Sequence, residues 1–110
     1  MIDIPNLGVN ETISMTVHVR GQWKTGKVWI NKLPLSPKQS QNLKNHSPTG
    51  FSWGYGGSGP SQLALAIAFW IDPITCLEWY QQLKWKWVAD LPQTDFERVL
   101  TLNVYPDEEQ

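Results

Sequence analysis

The chain has 110 residues, 41% of them hydrophobic, and a net charge of −1. That length is one domain, able to bury roughly 65% of the surface of its unfolded chain in a single modest core. The lone cysteine, Cys76, excludes an intramolecular disulfide and a thiolate zinc cluster.

The longest apolar run, Leu63 to Ile71, falls far short of the ~20 residues that a membrane span needs. No basic-then-apolar signal pattern stands at the N-terminus. The reading is a cytoplasmic protein without a membrane partner. Seven tryptophans help so short a chain close its core, and most are expected inside. Charge is distributed unevenly. Arg20, Lys24, Lys27, Lys32, Lys38 and Lys44 lie in a stretch from Thr12 to Ile71 that contains no acid, whereas acids dominate from Asp90 onward. Such a bias is either a solvated face or a field that favours an anionic partner.

Along the chain, residues 1–11 are polar and punctuated by Asn, Pro and Gly, reading as a loose arm. From Thr12 to Val19 the pattern alternates, with Ile13, Met15, Val17 and Val19 on one side, as in a half-buried strand. Gly21 and Gly26 bracket a turn, and Lys27 to Ile30 returns as the second strand of a hairpin. Leu33-Pro34-Leu35-Ser36-Pro37 is held extended by its prolines. Residues 38–45 suit a helical turn or a short strand, and Thr49 to Gly54 suits a third short strand.

Pro60 has the fixed φ of a first helical position, with Ser58 or Gly59 as cap. The run from Ser61 to Trp70 is then apolar nearly all round from Leu63, so this helix is expected to be central and buried. Asp72-Pro73 ends it and opens a second helix, in which Ile74, Leu77, Trp79 or Tyr80, and Leu83 keep a helical period. Pro92 breaks the chain, Phe96 to Val104 alternates as a final strand, and residues 105–110 form an acidic tail. The fold class is therefore α+β, a small antiparallel sheet (the N-terminal hairpin plus the C-terminal strand) packed on two helices, in one domain.

The most informative stretch is HSPTGFSWGYGGSGP, His46 to Pro60, where five glycines surround Phe51, Trp53 and Tyr55. Gly54, Gly56 and Gly59 match the literal spacing of a dinucleotide fingerprint. A parallel βαβ unit is required for that motif, however, and Asp72-Pro73 starts a helix where its second strand belongs. No Lys-Ser or Lys-Thr follows the last glycine, which excludes a phosphate loop. The physics common to both motifs survives: successive glycine N–H groups can form an anion nest beside a helix N-terminus.

The candidate ligand-binding set follows from that idea. Gly56, Gly57, Ser58 and Gly59 would present N–H groups, Ser61 a hydroxyl, Trp53 and Tyr55 stacking surfaces, and His46 and Lys44 rim charge. The alternative is that the same glycines only let the loop pass close over the core. Spacing alone assembles no catalytic triad from His46, Ser47, Asp72 and Cys76, and no acid or thiol lies near His18 or His46 to complete a metal site. No catalytic residue, metal ligand or cofactor is assigned. Lys84-Trp85-Lys86-Trp87 interleaves cations and indoles as single-strand binders do, but the acidic region that follows disfavours nucleic acid, and Trp85 or Trp87 is expected to pack inward.

The run His46-Ser47-Pro48-x-Gly50-Phe51-x-Trp53-Gly54-Tyr55-Gly56-Gly57-Ser58-Gly59-Pro60-Ser61-Gln62-Leu63-Ala64-Leu65-Ala66-Ile67 resembles the signature of a small family of short bacterial, archaeal and phage proteins, a domain of unknown function. The resemblance is specific to this run; residues 72–91 are similar in outline and residues 96–104 differ. It implies no activity and no catalytic residue. Occurrence in phages implies a role in host–virus conflict, for instance sequestering a nucleotide signal. The sequence thus points to a non-catalytic module for a phosphorylated or other anionic small molecule, such as a nucleotide. The alternative is a protein-interaction or structural domain that uses the aromatic loop as an interface, and a homo-oligomer is compatible with either.

Overall fold

The computed structural model describes residues 2–4 and 13–104. Five strands form one sheet: β1 (Ile2–Ile4), β2 (Ile13–Gln22), β3 (Lys27–Ile30), β4 (Leu33–Leu35) and β5 (Phe96–Val104). Their order is β1-β5-β2-β3-β4, with β1 parallel to β5 and the other pairs antiparallel. Three helices, α1 (Lys38–Leu43), α2 (Ser58–Ile71) and α3 (Cys76–Leu83), complete an α+β fold, and α3 runs on into a π-helical turn over Lys84–Val88.

Period-2 alternation sorts the sheet as the sequence suggests. Val17, Val19, Val28, Ile30, Phe96, Leu100, Leu102 and Val104 turn inward and are buried. Ser14, Thr16, Arg20, Glu97 and Val99 face solvent on the other side. The core lies between the inner face and α2, whose residues Gly59–Ala68 are all buried. A helix apolar on every side has no free face, and this one is enclosed by the sheet, α1 and α3.

The structure departs from the sequence reading in several places. Ile2–Ile4 is not part of a loose arm, because its backbone pairs with Leu102–Val104 and its isoleucines are buried. The remaining residues of that arm, Thr12 and the acidic tail lie outside the described residues. β2 runs on to Gln22 because Gly21, lacking a Cβ, admits the rings of Phe96 and Trp53. Leu33–Leu35 pairs with β3 as an edge strand, the one place in a sheet where a proline costs no ladder hydrogen bond. Residues 38–43 resolve to helix. Thr49 to Gly54 forms no strand: its backbone is irregular, and Gly54 N–H donates to Val88 C=O at 3.0 Å.

Pro60 is the third residue of α2, not the first, since Ser58 opens the helix after Gly57. Asp72 does cap the turn after α2: its carboxylate accepts from the N–H groups of Ile74 and Thr75 and from the Thr75 hydroxyl. That turn delays α3 to Cys76 and rotates its buried stripe to Cys76, Trp79, Tyr80 and Leu83, leaving Ile74 and Leu77 exposed. Among the described residues no helix is long and apolar enough to cross a membrane.

Trp53 is the keystone of the core at the turn end of the β2–β3 hairpin. It is 0% exposed, meets Trp23 and Phe96 edge-on at centroid distances of 5.6 and 5.0 Å, and donates its indole N–H to Thr94 C=O at 3.0 Å. Trp53→Ala should therefore destabilise the protein by about 3–5 kcal/mol, a large share of the stability of a domain this size. Denaturant unfolding measures it; a loss below ~1 kcal/mol would place Trp53 outside the core.

Candidate functional site

The segment after α1 is fastened to α2 by one side chain. Gln62 Oε1 accepts from the N–H groups of His46 (2.7 Å) and Ser47 (2.9 Å). Its Nε2 donates to Ser40 Oγ (2.9 Å) and Lys44 C=O (3.2 Å). Lys44 and His46 are thereby held beside the first turns of α2. His46 Nε2 is hydrogen-bonded to Tyr80 Oη at 2.8 Å, which ties the same segment to α3.

One helical turn beyond Tyr80 comes Lys84, only 8% exposed. Its ammonium lies 4.4 Å from the centre of the Trp85 ring. Among the described residues the one ion pair is His18–Glu97, on the outer face of the sheet, so Lys84 has no carboxylate partner. The π-helical turn, closed by the Ala89 N–H donating to Lys84 C=O at 2.8 Å, widens the backbone where Lys84 and Trp85 part company. Lys84 is tucked in, while Trp85 is 58% exposed and overlies Gly56 so closely that a Cβ there would sit 2.5 Å from the ring.

Electrostatics reflect the cationic excess. Burial first, then the charges of Lys44 and Lys84, hold His46 below the ordinary histidine range. Among the described residues no carboxylate forms an ion pair with either lysine. The Cys76 thiol is pushed up by burial and donates to Pro73 C=O at 3.7 Å, so it is not an activated nucleophile. His46 is engaged by Tyr80 and not by Ser47 or Cys76. Among the described residues no group of three His, Cys, Asp or Glu could hold a metal ion.

The structure distributes the sequence-derived candidates unevenly. Lys44 and His46 lie together with Lys84. Tyr55, 44% exposed, flanks Gly57 and shares a hydrogen bond with Ser52 Oγ at 2.7 Å. Trp53 is sealed in the core with no surface for a ligand. Ser61 is buried, and its N–H is committed to Gly57 C=O at 3.1 Å.

Gly56, Gly57 and Gly59 do not have the positive φ that a nest requires; in this loop Gly50 and Gly54 do, at +113° and +83°. Their role is close approach. A Cβ would overlap the Trp85 ring at Gly56, the Tyr55 ring at Gly57 and the Ser52 hydroxyl at Gly59. What remains for an anion is the α2 N-terminus, where Ser58 and Gly59 N–H groups have no intrahelical partner and no side chain caps the helix. Sequence reasoning missed Tyr80, Lys84 and Trp85 as members of this site. The interleaved Lys84–Trp87 run was the available signal, and Trp87, which packs against Phe96 at 6.0 Å, is its inward member.

A family model matches residues 19–103, a span that includes the loop, α2, α3 and all but the last residue of β5. The chain belongs to the family of unknown function DUF6166. No curated protein and no solved structure matches it. The match to DUF6166 takes in every residue of the site just described, from Lys44 to Trp85.

The lowered His46 pKa gives a signed expectation. A histidine depressed on folding contributes stability above its unfolded pKa of about 6.5, and that stability is lost as pH falls through the folded value. Lys84→Met should raise the His46 pKa, as read from its ring resonances in an NMR pH titration, and should make unfolding less sensitive to pH below about 6.5. An unchanged His46 titration in that variant would separate the two residues.

Proposed function

We propose that this DUF6166 domain is a non-catalytic binding module for a small anionic ligand that carries a ring, of the nucleotide kind. The observation that carries the reading is Lys84, a residue only 8% exposed with no counter-charge among the described residues, set beside Lys44 and His46. Such a local cationic excess favours an accompanying anion. A bound phosphate would supply that anion and would meet the free N–H groups at the start of α2 as well. The exposed rings of Tyr55 and Trp85 on either side of the Gly56–Gly57 turn are placed for a base or similar ring. Lys84 and Trp85 thus take over the roles that sequence spacing gave to the glycine nest and Trp53.

A second reading, an interface for another protein, draws on the same two rings and on the exposed Trp70, Ile74 and Leu77 toward the other end of α2. Sequestration of a nucleotide in host–phage conflict is the biological role that the sequence resemblance adds to the binding reading.

Calorimetric titration of the protein with nucleoside mono-, di- and triphosphates tests it. A nucleotide should bind with an affinity that weakens as salt rises, and Lys84→Met should weaken it by about tenfold or more. Trp85→Ala, an exposed position, should weaken nucleotide while sparing inorganic pyrophosphate. Absence of any heat or thermal stabilisation at about 1 mM ligand, across the panel, contradicts the reading.

A further inference from the structure

The other end of the same loop borders a second cavity. A half-open cleft of about 400 Å³ lies between the β2–β3 turn, the connection after β4 and residues Thr49–Phe51. That volume falls in the range of small-molecule sites, roughly 300–1,000 Å³. Its lining is mainly apolar, from Val28, Trp29, Leu35 and Phe51, with Lys27 and Thr49 among the polar contributors.

Two features give this cavity a chemistry. Lys27 is the one charged residue in its lining, and among the described residues no carboxylate is paired to it. The Arg20 guanidinium, 3.9 Å over the Trp29 ring, lies on the outer face of the sheet and takes no part in this lining. At the lip, Gly50 has φ +113°, which favours glycine, and a Cβ built there would meet nothing within 4 Å. The backbone turns away at this point and leaves the entrance open.

We propose that this cleft is a second ligand site, separate from the Lys84 cluster, for a flat aromatic monoanion. The ring lies among Val28, Leu35 and Phe51, and the acid group meets Lys27. The proposal stands independently of the nucleotide reading, because it shares no residue with the Lys84 site.

Naphthalene-2-carboxylate and the neutral naphthalene-2-carboxamide serve as probes, followed by amide chemical shifts in the full chain. The carboxylate should cause saturable shifts concentrated at Gly26, Lys27, Gly50 and Phe51, with a dissociation constant of about 1 mM or tighter. Lys27→Gln should weaken the carboxylate by about tenfold and leave the carboxamide unchanged. Thr49→Trp, a substitution at an exposed lip position, should remove both, with the remaining resonances confirming the fold. Shifts that fail to saturate, or that gather at His46, Tyr80 and Lys84 instead, overturn the proposal, as does an equal effect of Lys27→Gln on the two probes.

Discussion

A single buried amide organises the helical side of this molecule. Gln62 is 0% exposed on a helix that is otherwise apolar through its central turns, and both ends of its amide are fully used. Each such hydrogen bond contributes only about 1 kcal/mol net, but a buried group left without its partner costs about 1–3 kcal/mol. The energetic asymmetry makes the arrangement all-or-none. While Gln62 holds the N–H groups of His46 and Ser47, the end of α1 and the following segment must lie along α2; without them Gln62 would have no place in the core. The position of Lys44 and His46 next to Tyr80 and Lys84 follows from that constraint.

The π-helical turn supplies the other half of the arrangement. A regular continuation of α3 carries the stripe of Tyr80 and Leu83 on to Lys84 and Trp87 and leaves Trp85 outside it. That order holds through the π turn: Lys84 stays inside, Trp85 lies over Gly56 and Trp87 reaches Phe96. The glycines of the loop are then explained by what lies against them. Trp85, Tyr55 and Ser52 each occupy the space where a side chain would have been, and Gly54 is pinned on both sides, its N–H by Val88 C=O and its C=O by the Gln93 amide at 3.1 Å. Aromatic density and glycine density in one stretch are two sides of one packing solution.

Most of the fold was legible because it rests on short-range periodicity. Alternation identified β2, β3 and β5, and the continuous apolar run identified α2, since a period of two or a fully buried helix is written directly in neighbouring residues. Elements that depend on a distant partner were not legible. β1 is a strand because β5 offers it an edge, and β4 is a strand because Pro34 lands where no ladder bond is needed. The site shows the same division. His46, Lys44 and Tyr55 were found from the loop's composition, whereas Lys84 and Trp85 come from a segment some forty residues away and join them only through the Gln62 network and the π turn. Trp53, which looks identical to Tyr55 as a candidate stacking residue in sequence, turns inward because Trp23 and Phe96 build a slot for it.

The account rests on one claim, that Lys44, His46 and Lys84 form an unbalanced cationic cluster waiting for an anion. His46 reports on it directly, because its proton is disfavoured by the two lysines and would be favoured by a bound anion. The decisive measurement is the NMR titration of the His46 ring in the absence and presence of saturating inorganic pyrophosphate, in the wild type and in Lys84→Met. The account predicts that pyrophosphate raises the His46 pKa in the wild type and raises it less in Lys84→Met. A His46 titration that pyrophosphate does not move, or that it moves equally in both proteins, contradicts it.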